Sequence, residues 1–386
     1  MQCDYFDAGE CASCSLLDIS HPTQIAELDR VVRDALFPQV DETAFLPTVF
    51  GPEHHFRNKA KLVVGGTKSE PTFGILDTNR RGVDLRHCGL YEPGLARALP
   101  RLCDAVSALG LTPYDVNTRS GEFKHLIVTH APSGDLMARF VLRSPGQLPR
   151  LERAIPELQE AIPGLRVVSI NEQPEHKAIL AGPREHVLTE EDSLPLQVGP
   201  VTVFLRPESF FQTNTAIAAQ LYSQAARWVH GSGADTLWDL YCGVGGFGLS
   251  VGAQAPVRVV GVEIEPAAIT GAQRSAAAVE ARNPLSSFDF RVGDASTILR
   301  NEQPADVVLV NPPRRGIGSL ADWLNSSGVE QIIYSSCNVT SLQADLERLT
   351  SYRATAVRAY DMFPQTRHHE VLVQLVRQPT ASRSCG

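Results

Sequence analysis

Thr236-Leu-Trp-Asp-Leu-Tyr241 runs directly into Cys242-Gly-Val-Gly-Gly-Phe-Gly248. The first six residues read as a buried strand, the next seven as a tight glycine turn, and a helix begins there. The same design recurs downstream. A strand over 257–262 ends at Glu263, one over 288–292 at Gly293-Asp294, one over 306–310 at Asn311-Pro-Pro313, and one over 331–335 just before Cys337. Strands near 354–361 and 370–376 complete the series. Strands alternating with helical stretches predict an α/β unit with a parallel, doubly wound sheet.

In such a sheet, ligands bind beyond the carboxyl ends of the strands. The glycines at Gly243 and after it let a ligand approach the backbone closely. Glu263, twenty residues after Gly243, is placed to accept from ribose hydroxyls. A loop and an acid serve a nicotinamide dinucleotide as well as S-adenosylmethionine. Asp294, suited to an adenine amino group, and Asn311-Pro-Pro-Arg, whose prolines stiffen a turn, favour the methyl donor.

Tyr334-Ser-Ser-Cys-Asn338 puts Cys337 past a strand tip. There a thiolate is open to chemistry; elsewhere, free cysteine is often just a small buried hydrophobe, the role that suits Cys242. A thiolate adding to C6 of uracil turns C5 into a carbon that attacks a sulfonium methyl, and a base then removes the C5 proton. Glu370 is the candidate base, with His368 and His369 as competitors. If Asn311-Pro-Pro instead held an exocyclic amine, Cys337 would be dispensable.

Outward from that unit, the chain has 386 residues, net charge −8, 43% hydrophobic and 20% charged residues, the profile of a soluble globular protein of two or three domains. No apolar run reaches the ~18 residues of a membrane-spanning helix, and the start has no signal-peptide pattern, so a cytoplasmic protein with reduced thiols is expected. The negative balance argues against indiscriminate nucleic-acid binding. A local basic segment is nevertheless present: between Arg57 and Arg86 seven Lys/Arg face three acids. On a strand near 56–64, Arg57, Lys59 and Lys61 share one face and Ala60 and Leu62 the other, which gives a phosphate-tracking surface or a plain solvated face. Arg139 and Arg143 share a face on a later strand.

Cys3, Cys11 and Cys14 crowd the first fifteen residues. The C-x2-C pair can face one metal, with Cys88, or Cys103 from a helical run, as fourth ligand. Structural zinc and an iron–sulfur cluster both suit four thiolates. Residues 1–44 are read as this Cys-rich segment, 45–205 as an α+β domain whose sheet is finished by strands at 166–171 and 201–205, and 206–386 as the doubly wound domain. At the join, Asn214 suits a helix cap, and Gln212 precedes the helix.

Phe210-Phe-Gln-Thr-Asn214, Asp239-Leu-Tyr-Cys-Gly243, Asn311-Pro-Pro-Arg-Arg315, Ser335-Ser-Cys-Asn338 and His369-Glu370 together resemble the RNA 5-methyluridine methyltransferases over essentially the whole chain. The resemblance implies a Rossmann-like S-adenosylmethionine methyltransferase sheet, donor contacts from Gln212, Tyr241, Glu263 and Asn311, a nucleophile at Cys337 and a base at Glu370. A start directly on the cysteines, without a leading oligonucleotide-binding barrel, is similar to the ribosomal branch that methylates the uridine numbered 747 in 23S rRNA. That branch carries a [4Fe-4S] cluster, which the resemblance places on Cys3, Cys11, Cys14 and Cys88. Some relatives carry Asn at the position of Gly246, so any contact from that side chain is absent here. The alternatives are another rRNA or tRNA uridine, or an iron–sulfur RNA-binding protein without turnover. No obligate protein partner is expected.

Overall fold

The computed structural model describes residues 1–177, 179–298 and 301–379. Two compact units form. The first comprises Met1–Asp18, Pro52–Gln197 and Phe204–Thr215; the second comprises Ile19–Gly51, Val198–Val203 and the chain from Ala216 onward. In chain order the helices are α1 (Asp4–Asp7), α2 (His21–Leu36), α3 (Pro93–Ala108), α4 (Leu148–Ala161), α5 (Thr215–Gly231), α6 (Gly246–Gln254), α7 (Pro266–Glu280), α8 (Leu320–Ser327) and α9 (Val339–Arg348). None is long and apolar enough to cross a membrane.

The first unit is built on a seven-stranded sheet: β1 (Lys59–Gly66), β2 (Pro71–Leu76), β3 (Gly82–Asp84), β4 (Phe123–His130), β5 (Leu136–Leu142), β6 (Leu165–Glu172) and β7 (Arg184–Val187), in the order β3-β2-β1-β4-β5-β6-β7. Strand β1 alternates as its sequence demands. Ala60, Leu62 and Val64 are buried in a core shared with Leu95, Leu99 and Leu102 of α3, while Lys59 and Lys61 point away from it. Arg57 lies just before β1 and donates through Nε to Lys59 O at 3.0 Å. Burial pulls the Lys59 ammonium down to about 8, and the neighbouring Lys61 and Arg139 cations add to this.

Arg139 and Arg143 carry carboxylate partners: Arg139 grips Glu185 through Nε and Nη2, the latter at 2.6 Å, and Arg143 pairs with Glu122 at 3.0 Å. One expectation needs correction here. The strand at 201–205 does not finish this sheet. It is β9 (Val201–Leu205), which pairs with β8 (Leu194–Val198) in a two-stranded hairpin, and β7 takes the edge position.

The second unit holds β10 (Thr236–Leu240), β11 (Arg258–Glu263), β12 (Ser287–Val292), β13 (Val307–Val310), β14 (Gln331–Ser336), β15 (Tyr352–Tyr360) and β16 (Glu370–Arg377), in the order β12-β11-β10-β13-β14-β16-β15. The five strands β10 to β14 are mutually parallel, as expected. Strand β16 is the exception. It inserts antiparallel between β14 and β15, with Ser336 opposite Val371 and Tyr360 opposite Glu370. That reversal lays the start of β16 beside the end of β14, so Glu370 meets Cys337.

Residues 19–51 join this unit rather than the Cys-rich segment, which moves the boundary expected at 44. The apolar stripe of α2 supplies Val32 and Leu36 to the core under β10, β13 and β14. Phe45 and Val49 then bridge in parallel to Val357 and Tyr360 along the outer side of β15.

Candidate active site

Four strand tips converge in the second unit. At β10, Tyr241 opens the glycine turn with φ +61°, a left-handed conformation that a bulky side chain adopts only under strain. Gly243 N–H donates to Glu263 Oε2 at 3.1 Å, and Ile264 and Glu265 N–H donate to Glu263 Oε1 at 2.8 and 3.1 Å. Three backbone donors therefore fix the carboxylate at the β11 tip. Beneath them Asp239 is wholly buried and accepts from Gly248 N–H at 2.8 Å. Burial pushes its carboxyl up to about 7, the Gly248 bond lowering it and nearby Glu263 raising it further. Gly246 has a packing reason to lack a side chain, since a Cβ there would stand 2.8 Å from the Tyr222 ring.

Asp294 is exposed after β12, where its Oδ1 accepts from Ser296 N–H and Oγ at 2.8 and 2.7 Å. Burial raises the Tyr241 hydroxyl, the Asp294 carboxylate raises it more, and Arg315 lowers it. Tyr241, Asp294 and the loop after β13 thus share one neighbourhood. Asn311 follows β13, with its N–H on Leu240 O at 3.2 Å.

Cys337 is half-buried between β14 and α9. Asn338 caps α9, its Oδ1 accepting from Thr340 N–H at 3.2 Å, while its Nδ2 donates to Arg314 O at 3.0 Å. One residue therefore ties the cysteine's turn to the Asn311–Arg315 loop. Burial raises the Cys337 thiol above its usual range and the Glu370 carboxylate raises it further; the Arg314 guanidinium, by charge and by a hydrogen bond, pulls it back. Arg314 Nη2 also donates to His368 Nδ1 at 3.1 Å. Glu370 is 4% exposed, with Ser335 Oγ donating to its Oε2 at 3.5 Å. A hydrogen bond to the backbone oxygen of Arg367 holds the His369 ring, and burial lowers its basicity despite that bond.

The structure adds one residue that the motifs did not mark. Asp345 of α9 is buried, and its Oδ2 accepts both from Tyr334 Oη at 2.7 Å and from Ile317 N–H at 2.9 Å. It pins the loop carrying Asn311, Arg314 and Arg315 to the strand carrying Cys337. A polar residue on a helical core face opposite a strand tyrosine was the available signal.

Gln212 and the cationic residues Arg57, Lys59 and Lys61 lie in the first unit. There Asn58 Nδ2 donates to Gln212 O at 3.1 Å, and Gln212 is 5% exposed. Asn58 N–H donates to Thr213 O at 2.9 Å, and Asn214 bridges to Arg57.

The cysteines of the first unit also assemble. Burial pushes the Cys14 thiol up to about 11, and Cys88, Cys11 and Cys3 add to the rise. Phe56, Leu90, Leu17 and Met1 form an apolar wall around Cys14 and Cys88. Cys103 is apart, fully buried in α3 beside Arg86 and Asp84. Among the described residues no three His, Cys, Asp or Glu are arranged to hold a single metal ion.

The chain is similar to known proteins in sequence and in fold. A sequence model of the family tRNA (Uracil-5-)-methyltransferase matches residues 185–286 and 291–378. The 23S rRNA (uracil(747)-C(5))-methyltransferase RlmC of Serratia proteamaculans is 42% identical over 98% of this chain and 100% of its own length. The chain belongs to the RNA uracil-C5 methyltransferase family. Its RlmC relatives in Yersinia enterocolitica and Escherichia coli are also 42% identical over 98% of the chain and all of theirs. The family fold extends to the solved structure of Pyrococcus abyssi tRNA (uracil-54, C5)-methyltransferase in complex with S-adenosyl-L-homocysteine, with a TM-score of 0.76, 23% identity and coverage of 94% of this chain and 85% of that one.

Proposed function

We propose that this protein uses S-adenosylmethionine to methylate C5 of a uridine in 23S rRNA, at the position-747 type of site, through a covalent adduct on Cys337. The observation that carries the reading is the meeting of Cys337 and Glu370 at the antiparallel β14–β16 join, with Arg314 hydrogen-bonded to the thiol. The Cys337 thiolate adds to C6, and the C5 carbon takes the methyl group as S-adenosylhomocysteine leaves. Glu370 accepts the C5 proton, the C6–S bond breaks and the thiolate returns. The target base has to leave its stack to reach the cysteine.

Tyr241, Gly243, Glu263, Asp294 and Asn311 hold the methyl donor, which supplies an electrophilic methyl group. Arg57, Lys59 and Lys61, which among the described residues have no carboxylate partner of the kind that neutralises Arg139 and Arg143, track the RNA backbone. Cys3, Cys11, Cys14 and Cys88 hold a [4Fe-4S] cluster. What supports this reading is the field that the thiols share, with Cys88, Cys11 and Cys3 each raising the Cys14 thiol. The reaction takes place on ribosomal RNA in the cytoplasm.

The pH dependence follows from the thiol. Only the thiolate attacks, and burial beside Glu370 places the Cys337 ionisation above the usual 9.0. The protonated form therefore dominates at neutral pH. Single-turnover methylation at saturating RNA is expected to rise about tenfold per pH unit from 7 to 9 without reaching a plateau. A flat profile there would contradict thiolate attack.

The reading as a whole is tested with RNA whose target uracil carries fluorine at C5. Fluorine cannot leave as a cation, so the adduct persists after methyl transfer. Mass spectrometry of denatured protein should locate it on Cys337. Normal methylation of ordinary RNA with no adduct from the fluorinated RNA would refute the covalent route.

A further inference from the structure

A second cationic site lies in the second unit, away from the reacting groups. Arg227 stands on α5 and Arg358 on the edge strand β15. Arg227 Nη2 and Arg358 Nη1 both donate to Gln224 Oε1, each at 2.7 Å. Two guanidinium cations thus lean on one neutral amide oxygen, where their charges repel. Arg227 Nη1 also donates to Ser223 Oγ at 3.0 Å; neither arginine pairs with a carboxylate among the described residues. Arg358 Nε is buried without an acceptor, an arrangement that leaves a donor unsatisfied.

Both arginines line a cleft of about 240 Å³, together with Val49 and Ser223. Burial pushes the Tyr360 hydroxyl up, and the Arg358 and Arg227 charges pull it back.

The position relative to the reacting groups follows from strand register. Tyr360 is opposite Glu370, and Arg358 is opposite Leu372, so Arg358 and Glu370 share a face of the sheet. At the usual strand rise and spacing, Arg358 lies roughly 12 Å from the tip of β14, two strands away. A nucleotide next to one held at Cys337 spans that distance.

We propose that the cleft between α5 and β15 binds a backbone phosphate of the RNA strand that carries the target uridine, with Arg227 and Arg358 as its paired cations. The proposal rests on the RNA-methylation reading. An anion placed between the guanidiniums removes their mutual repulsion and satisfies the free Arg358 donor, and planar guanidinium forks match phosphate oxygens. A cationic cleft is also how the backbone of a single strand is held.

The test uses the full chain and an RNA hairpin containing the target uridine, with affinity measured across a salt series. Arg227→Gln/Arg358→Gln should bind the RNA at least tenfold more weakly, and the slope of log K against log salt should fall by one to two. Arg227→Lys/Arg358→Lys should recover most of that slope, and calorimetry should give wild-type S-adenosylmethionine affinity for both variants. Unchanged RNA affinity and slope in the Gln pair would overturn the proposal. So would an equal loss in the Lys pair, which would mark the arginines as packing groups. Wild-type protein that binds RNA through these arginines and never methylates it would refute the reaction and leave the cleft. Methylation that persists with unaltered RNA binding in the Gln pair would refute the cleft alone.

Discussion

Cys337→Ala should abolish methyl transfer while leaving the fold and S-adenosylmethionine binding intact. The expected loss in single-turnover rate is at least ~10⁴-fold, as for other nucleophiles that carry a covalent step. The location of the side chain makes the prediction clean. Cys337 is half-buried past the end of β14, whereas the strand residues before it, Ile332, Ile333 and Tyr334, are fully buried. Removing its sulfur opens no core cavity. The cap on α9 depends on Asn338 and the strand on its backbone ladder, so neither changes. Cys337→Ser should be nearly as inactive, because a hydroxyl ionises far less readily than a thiol. Rates should be measured with modification-free RNA, and donor affinity by calorimetry. A variant within tenfold of wild type would sink the covalent mechanism.

Gly316→Ala should destabilise the protein by about 2–5 kcal/mol and also suppress activity. Gly316 has φ +83°, and a Cβ built on it would lie 2.1 Å from Asp345 Oδ2. That carboxylate cannot swing away, because the same oxygen takes the Tyr334 hydroxyl and the Ile317 N–H. Burial pushes the Tyr334 hydroxyl far above its usual range, so it stays protonated and keeps donating. The loop would have to move instead, taking Arg314 away from Cys337. Asp345→Asn provides the contrast. Both bonds reach one oxygen, and an amide oxygen in that place accepts both, so this variant should keep most of its stability and activity. Urea denaturation and methylation rates would check the pair. If the two variants proved equally mild, Asp345 would not be the pin.

Much of the second unit was legible from apolar runs and the turns that end them. β10, β11, β12, β13 and β14 all lie within a residue of their expected limits, because each stops at a polar or glycine-rich tip whose chemistry differs from its core. Strand direction was not legible. The apolar run of β16 reads alike in both senses, and only its pairing with β14 and β15 decides between them. The fates of Arg139 and Arg143 were hidden for a related reason: their neutralising partners, Glu185 and Glu122, are distant in sequence. An amphipathic helix such as α2 declares an apolar face but not the core that receives it, so its membership of the second unit emerged only from packing. Asp345 looked like any helix acid until Tyr334 and Ile317 were seen to converge on it.

The bridging of Phe45 and Val49 to β15 also bears on how the protein can be divided. Val49 N–H donates to Ala359 O at 2.9 Å, and Asp361 N–H donates to Val49 O at 2.8 Å. This early segment shields the outermost strand of a sheet whose other strands come from far later in the chain. A fragment starting at Ala216 would carry every strand from β10 to β16 and still leave β15 with a row of unclaimed amides and carbonyls. Such an edge recruits other chains. The second unit is therefore a unit in space but not a unit of gene sequence, and a soluble minimal version has to carry residues 19–51 along with it.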